Sequence, residues 1–255
     1  MNIERLRFAG RLARRDPVLL ADYLRFFFEG RRIKPGLTRQ QDPDAVTITE
    51  ARRLLTERFG TWTDGPALSE LRRHQYDGEA RYSGGGSEMA GDSLLGLLAY
   101  WAVRAVQPQT VIETGVATGV TSAHLLAGIL DNGHGILSSI DLPPFDMIAG
   151  RRVGAAIPEA WKKDWDYRWG SAKRLLPKAL PAKPPAVFVH DSDHSYAHMS
   201  WELRTAWQAL TPGSLILCDD VDYHGAFRDA AAMFKATPHL VIQAEKPGTT
   251  GLLFR

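Results

Sequence analysis

The chain has 255 residues, of which 44% are hydrophobic and 24% are charged, and its formal net charge is +2. These are ordinary globular values that exclude a disordered chain, and so small a net charge gives no reason to expect a nucleic-acid partner. The longest uncharged apolar stretch, residues 94–103, is shorter than the roughly 20 residues that a membrane span needs. A single cysteine, Cys218, excludes an internal disulfide, and no secretion signal follows the basic N-terminus. We therefore expect a cytoplasmic protein without a membrane span.

Residues 1–86 are predicted to form a helical N-terminal extension. Short helical patterns at 17–29 and 49–59 are separated by polar stretches rich in proline, glycine, aspartate and glutamine. The glycines at 84–86 indicate a flexible connection, because consecutive glycines do not stabilise a helix or a strand. The aromatic helix at 17–29 is expected to pack on the main domain. The extension as a whole would shape the pocket for an acceptor substrate or form a homodimer contact. Attachment to a membrane surface is an alternative.

The second predicted domain, residues 87–255, alternates strands with helices. A helix at 88–106 comes first, and Pro108 follows it. The strand-like runs are 110–114, 135–141, 166–169, 186–190, 214–219, 239–244 and 250–254, and the helical runs between them are 120–130, 151–163, 172–180, 196–210 and 225–235. Such alternation predicts a parallel sheet covered on both faces, and the short turn between the last two strands requires one antiparallel strand. The predicted fold is α/β and Rossmann-like: a seven-stranded, mostly parallel sheet with one antiparallel edge strand.

Ligands of open α/β sheets bind beyond the carboxyl ends of the strands, so the residues there are candidates for a site. After the first strand, Gly115 and Gly119 allow the backbone to approach a ligand closely, and the next helix offers its unpaired N–H groups. The segment fails as a dinucleotide-binding fingerprint, because Ala117 and Val120 stand where glycines are needed. With Glu113 two residues before the first glycine, the segment resembles motif I of class I S-adenosylmethionine-dependent methyltransferases. A strand-to-helix turn without a ligand is the alternative.

Two further strand ends carry candidate cofactor residues. The second strand ends at Asp141, whose carboxylate could accept hydrogen bonds from both hydroxyls of a ribose. Ser171 follows the third strand and opens a helix. Either residue could instead be a plain helix or turn cap.

A third group of candidates is acidic. The apolar strand at 186–190 delivers Asp191, and the strand at 214–219 ends in Asp219 and Asp220. If the two strands are neighbours, the three carboxylates converge, and their repulsion would force some of them to take up protons unless a divalent cation lies between them. Oxygen ligands suit Mg²⁺ or Mn²⁺. The alternative is that Asp219 and Asp220 only cap the following helix.

The combination of these motifs is more specific than any one of them. Residues 188–196, the segment 210–213 and the double aspartate together resemble class I O-methyltransferases of the macrocin and cephalosporin-biosynthesis-related type, and more distantly catechol O-methyltransferases. The resemblance covers residues 88–255, and the chain departs from it at Ala117 and Ser192. It implies metal ligation by Asp191, Asp219 and Asp220, contacts with the methionine part of the cofactor from Glu113, Gly115, Gly119 and Thr121, with the ribose from Asp141, and with the adenine from Ser171.

His194, three residues after Asp191, is the candidate general base. Its ordinary pKa near 6.5 suits proton transfer at neutral pH, and its position allows it to reach a substrate oxygen beside the metal. We therefore expect His194 and Asp191 to be the catalytic residues. His198 and His224 are weaker candidates, and His190 could face either the core or the site.

The leading interpretation is an O-methyltransferase that uses S-adenosylmethionine and a divalent cation, expected to be Mg²⁺, to methylate a hydroxyl of a small molecule or sugar. A metal-dependent hydrolase is an alternative, because the histidines and aspartates of residues 190–198 resemble a zinc-ligand cluster. A catalytically inactive S-adenosylmethionine-binding module is the other alternative.

Overall fold

The computed structural model describes residues 3–30, 43–82, 93–145, 148, 152–182, 186–242 and 248–255. Within these residues, a single sheet runs through the chain and helices cover both of its faces. The predicted connection at 84–86, the boundary between residues 86 and 87, and the first residues of the helix expected from 88 lie outside the described residues.

The strands are β1 (Val46–Thr47), β2 (Thr110–Thr114), β3 (Ile136–Asp141), β4 (Trp165–Trp169), β5 (Val187–His190), β6 (Leu215–Cys218), β7 (His239–Ile242) and β8 (Thr249–Phe254). The helices are α1 (Ile3–Arg15), α2 (Pro17–Gly30), α3 (Ile48–Phe59), α4 (Pro66–Tyr82), α5 (Ser93–Val106), α6 (Val120–Asn132), α7 (Ala172–Ala182), α8 (Tyr196–Ala209) and α9 (Ala226–Phe234). A 3₁₀ helix at Glu159–Asp164 precedes β4.

The strand order is β1-β7-β8-β6-β5-β2-β3-β4. Strand β8 runs antiparallel to both of its neighbours, and every other pairing is parallel. The predicted α/β class and the mostly parallel sheet are confirmed. The described sheet has eight strands where seven were expected, because β1 of the N-terminal region pairs with β7. The antiparallel strand is inserted between β6 and β7, so it does not form the outermost edge.

The central strands are buried on both faces, as their unbroken apolar sequences predict. Val187, Val189 and Leu215 belong to a core shared with α3, α4, α5 and α6. Phe188 and Ile216, which alternate with them, belong to a second core shared with α7, α8 and α9. Helices cover both faces of the sheet. The polar residues that follow these parallel strands therefore lie together at its carboxyl edge.

The helix predicted at 151–163 is wrong. Residues 153–156 form turns, and only the 3₁₀ helix follows. The backbone N–H of Gly154 donates to the carbonyl of Ala117 at 3.1 Å, and that of Ala156 donates to the carbonyl of Thr118 at 2.8 Å. Gly154 has a φ of +65°, which a regular helix does not accommodate. Hydrogen bonds to residues 115–119, the glycine loop, therefore replace the local helical pattern.

No helix in the described part of the chain has the length and hydropathy needed to cross a membrane.

Helix α3 starts with a capping box that can be tested. The Oγ1 of Thr47 accepts from the backbone N–H of Glu50 at 3.3 Å, and the Glu50 carboxylate accepts from the N–H of Thr47 at 2.9 Å. We expect Thr47→Ala to lower the free energy of unfolding by about 1 kcal/mol, because a helix donor loses its partner. The control is Thr49→Ala, at an exposed position inside the same helix. Chemical denaturation that gives equal losses for both variants would contradict the capping role.

Candidate functional site

The loop after β2 comes very close to the loop after β5. Gly115 has a φ of +86°, and a Cβ added there would lie 1.8 Å from the carbonyl oxygen of Asp191. Gly119, also at φ +86°, faces Gly154, whose Cα would be 2.9 Å from an added Cβ. Both positions need a left-handed backbone and space that only glycine leaves. The glycine loop thus contacts the loop after β5 on one side and the segment that carries Gly154 on the other.

Glu113 lies fully buried beneath this loop. Its Oε2 accepts hydrogen bonds from Ser122 Oγ at 2.7 Å and Ser139 Oγ at 2.6 Å. Its Oε1 is buried and has no hydrogen-bond partner among the described residues. Burial raises the pKa of Glu113 to about 7, with a further rise from the charge of Asp141, although the two serines lower it.

Asp141 ends β3 and faces the same loop. Its carboxylate accepts from the backbone N–H groups of Ala117, Leu142 and Val116, which lower its pKa, but burial dominates and raises the pKa of Asp141 to about 6. Its Oδ2 is buried without a partner in the described part of the chain. Thr121, in the first turn of α6, is buried, and its Oγ1 likewise finds no described partner. Three buried side-chain oxygens on three different elements therefore have no hydrogen-bond partner among the described residues.

The carboxyl ends of β5 and β6 bring the acidic candidates together. One potential ligand atom from each of Asp191, His194 and Asp219 lies within 4.8 Å of the other two. Asp220 Oδ2 lies 3.2 Å from His194 Nδ1, and His194 Nε2 lies 3.8 Å from Asp191 Oδ1. The structure therefore gathers all four predicted residues, with Asp220 in contact with the imidazole of His194.

The charges in this cluster shift its pKa values upward. Loss of hydration, together with the charges of Asp219 and Glu113, raises the pKa of Asp191 well above its usual range. Burial alone would lower the pKa of His194, but the hydrogen bond to Asp220 and the charge of Asp219 raise it. A group of carboxylates that favours protons in this way has the electrostatics of a cation site.

The other histidine candidates do not join the cluster as ligands. His190 and His198 both contact Glu202, at 2.5 Å and 2.8 Å. His224 donates from Nε2 to the carbonyl oxygen of His194 at 2.7 Å, so it anchors the loop through its backbone. The histidine-rich ligand set of the hydrolase alternative is not assembled in this arrangement.

Ser171 is bound by a residue that sequence reasoning did not single out. Its N–H and Oγ donate to the carboxylate of Asp22 at 3.1 Å and 2.7 Å, and Arg174 pairs with the same carboxylate at 2.6 Å. Asp22, on α2, is buried. Helix α2 thus caps the start of α7, and the hydroxyl of Ser171 already has a partner.

Aromatic side chains extend this contact over the ends of β3 and β4. Tyr23 donates to the carbonyl oxygen of Pro143 at 2.8 Å and accepts from Trp169 Nε1 at 3.1 Å. The Phe8 ring stacks on Trp169 with centroids 6.4 Å apart and also contacts Phe145 at 5.1 Å. The N-terminal helices therefore cover the edge of the sheet next to Asp141.

Glu202 is the clearest residue that the sequence-based interpretation missed. It is fully buried on α8 and collects side-chain donors from β2, β5 and the loop that follows β5. The only local signal was the spacing of His198 and Glu202, four residues apart on one helix face.

Comparison with known proteins finds a family model and several solved structures that this chain resembles. Residues 112–221 match the family model of a methyltransferase domain. An O-methyltransferase of Bacillus cereus in complex with SAH is 14% identical, with a TM-score of 0.53, over 81% of this chain and 97% of that chain. The SAH-bound methyltransferase PaMTH1 of Podospora anserina is 15% identical, with a TM-score of 0.53, over 85% of this chain and 100% of that chain. Cofactor-bound Rv0187 from MTB is 18% identical, with a TM-score of 0.52, over 85% and 98%.

No curated protein sequence matches the chain. The solved structures establish the fold, and the family match covers the segment that carries the glycine loop and the acidic cluster. The resemblance drawn from the sequence is confirmed: residues 112–221 match a methyltransferase domain, and the chain shares the fold of SAH-bound methyltransferases.

The raised pKa of Glu113 predicts a pH-dependent stability. Between its ordinary pKa of 4.5 and its folded value of about 7, the unfolded chain releases this proton and the folded chain retains it. The free energy of unfolding therefore falls as pH rises through this window, by up to about 1.4 kcal/mol per pH unit. We expect Glu113→Gln to gain stability relative to the unmodified protein between pH 5 and 8, in denaturation series at each pH. Parallel curves would contradict the assignment, and Glu57→Gln, at an exposed helix position, is the control.

Proposed function

We propose that this methyltransferase transfers the methyl group of S-adenosylmethionine to a hydroxyl of a small molecule or sugar, with a divalent cation such as Mg²⁺ beside the acceptor. The observation that carries the proposal is the contact between the glycine loop and the loop of Asp191. A cofactor on one loop and an oxygen-binding cluster on the other would face each other across it. The sulfonium of S-adenosylmethionine supplies an activated methyl group, so the protein has to align it with an oxygen and remove a proton.

The buried oxygens of Glu113, Thr121 and Asp141 support the cofactor part of the proposal. A buried acceptor without a partner costs about 1–3 kcal/mol, so a ligand with matching donors is favoured there. S-adenosylmethionine carries such donors in its amino group and its two ribose hydroxyls. In our proposal Glu113 and Thr121, with Gly115 and Gly119, surround the methionine part, and Asp141 accepts from the ribose.

The adenine would then lie toward Ser171. Because Asp22 already occupies its N–H and hydroxyl, Ser171 would act through the shape of its loop. Tyr23 and Trp169 would form the adjoining wall. In our proposal α1 and α2 therefore close the end of the site that holds the adenosyl group. The role expected from the sequence was to shape the acceptor pocket or a homodimer contact.

Replacing Asp141 tests the cofactor site. We expect Asp141→Asn to weaken S-adenosylmethionine binding about 10- to 150-fold, the equivalent of the roughly 1.5–3 kcal/mol of a charge-assisted hydrogen bond. Calorimetric titration measures the affinity directly. The matched control is Asp166→Asn, which changes a partly exposed aspartate on β4 that pairs with Arg168. Equal affinity for both variants would remove Asp141 from the cofactor site.

The carboxylates of Asp191, Asp219 and Asp220 suit a divalent cation. Carboxylate oxygens of Asp191 and Asp219 lie within 4.8 Å of each other, and oxygen atoms are the ligands that Mg²⁺ prefers. A bound cation would lower the pKa of an acceptor hydroxyl and orient its oxygen. Asp220 would complete the acidic environment.

The orientation of the His194 ring supports a role as the base that takes the proton of the acceptor. Asp220 contacts its Nδ1, which leaves Nε2 as the proton acceptor, and this orientation is the one that a general base needs. The carbonyl of His194 is held by His224, so backbone and ring are both fixed. In our proposal His194 takes the proton, while Asp191 holds the acceptor side of the site.

Removing one acidic ligand tests the cation. We expect Asp219→Asn to lower the affinity for Mn²⁺, used as a probe for Mg²⁺, by at least about tenfold, because a charged ligand is lost. Asp222→Asn, three residues along the same segment, is the control. Mn²⁺ affinity that is the same in all three proteins would contradict the cation site and leave the methyltransferase fold untouched.

The variant His194→Ala shows whether His194 acts as a general base or as a metal ligand. As a base, His194 contributes roughly 10²–10⁴ in turnover, so the variant should lose that rate while keeping Mn²⁺ and cofactor affinity within about threefold. The acidic limb of the pH profile should also disappear. A large loss of Mn²⁺ affinity would instead make His194 a ligand. The acceptor for this assay comes from a mass-spectrometric screen of hydroxylated small molecules with methyl-labelled cofactor.

A further inference from the structure

The side chain of Glu202 is a fully buried carboxylate with four side-chain donors. Thr114 Oγ1 donates at 2.6 Å and His190 Nδ1 contacts it at 2.5 Å, both to Oε2. Ser192 Oγ donates at 3.0 Å and His198 Nε2 contacts it at 2.8 Å, both to Oε1. Both carboxylate oxygens are thus satisfied by two partners each.

The partners of Glu202 come from both sides of the candidate site. Thr114 is the last residue of β2 and precedes Gly115, where the cofactor loop begins. His190 is the last residue of β5, and Ser192 follows Asp191. The backbone joins the same segments, because the N–H of Asp191 donates to the carbonyl of Thr114 at 2.9 Å. One carboxylate therefore ties the start of the cofactor loop to the residues on both sides of Asp191.

Burying a charge at this place is costly unless it is fully hydrogen-bonded, and packing in which the carboxylate and its partners were all apolar would avoid that cost. Burial alone would raise the pKa of Glu202, but its contacts with His190 and His198 lower it, so it is ionised. The hydrogen bonds of the Glu202 carboxylate fix the directions and distances of its partner side chains, which apolar packing would not do.

We infer that Glu202 is a positioning residue that holds the cofactor loop and the cation-binding loop in register, through Thr114, His190 and Ser192. The inference rests on the proposed function, because it assigns Glu202 a role toward the cation site. Residues that orient metal ligands from behind typically change metal affinity by about 10- to 100-fold when they are replaced.

The test measures Mn²⁺ and S-adenosylmethionine affinities of the full chain by calorimetry, well below the unfolding temperature of each variant. We expect Glu202→Gln to weaken Mn²⁺ binding at least about tenfold, because the second oxygen becomes an N–H donor facing other donors. Cofactor affinity should change less than about threefold, because Glu113 and Asp141 do not contact Glu202. Glu57→Gln, at an exposed ion pair, is the matched control.

Ser192→Ala keeps the inference testable if Glu202→Gln does not fold, because it removes only one of the four donors, the hydroxyl of the residue that follows Asp191. On its own it should weaken Mn²⁺ binding about three- to tenfold. Where both fold, the double variant should bind Mn²⁺ no more weakly than Glu202→Gln alone, because the serine acts through the carboxylate. A purely structural role would lower thermal stability without this non-additive effect on metal affinity.

The outcomes separate the two proposals. If the unmodified protein binds Mn²⁺ and both variants bind it equally well, the positioning role is overturned and the cation site stands. Strictly additive losses in the double variant would also overturn it. If the unmodified protein binds no Mn²⁺, the cation part of the proposed function fails, and the inference fails with it.

Discussion

The candidate site depends on the approach of two loops at the carboxyl edge of the sheet. The carbonyl oxygen of Asp191 occupies the space that a side chain at position 115 would need. Any residue other than glycine would push the loops apart and would also strain a backbone at φ +86°. Because the loops touch, groups bound to one of them lie within reach of groups bound to the other. Methyl transfer with an activated acceptor requires this closeness.

A concentration of buried acid accompanies that contact. Glu113, Asp141 and Asp191 all have raised pKa values, and the charges of Glu113 and Asp141 add to the rise at Asp191. Glu202, on α8, has a lowered pKa because two histidines contact its carboxylate. The same edge therefore holds two kinds of acid. The charge of Glu202 is balanced by histidines of the protein, whereas the charges of Glu113, Asp141 and Asp191 favour a cation from outside it. A cationic ligand, either a metal ion or a sulfonium, suits the second group.

Much of this arrangement could be predicted from the sequence, because it follows from local patterns. Strand and helix periodicity gave the sheet, and acids at the strand ends pointed to Asp141, Asp191 and Asp219. Partners distant in sequence could not be predicted. Asp22 caps a helix about 150 residues away, Glu202 meets Thr114 across the core, and residues 153–156 leave their helical pattern to bond the glycine loop. Such contacts depend on tertiary packing, which overrides local propensity.

The central claim is that cofactor and cation bind side by side on these two loops. Paramagnetic relaxation tests it directly, with methyl-labelled S-adenosylmethionine bound to the protein and Mn²⁺ compared with diamagnetic Mg²⁺. The account predicts that Mn²⁺ strongly accelerates relaxation of the cofactor methyl protons, and that Asp219→Asn abolishes the effect at the same Mn²⁺ concentration. Methyl relaxation that is equal with Mn²⁺ and Mg²⁺, while both ligands are bound, would contradict it.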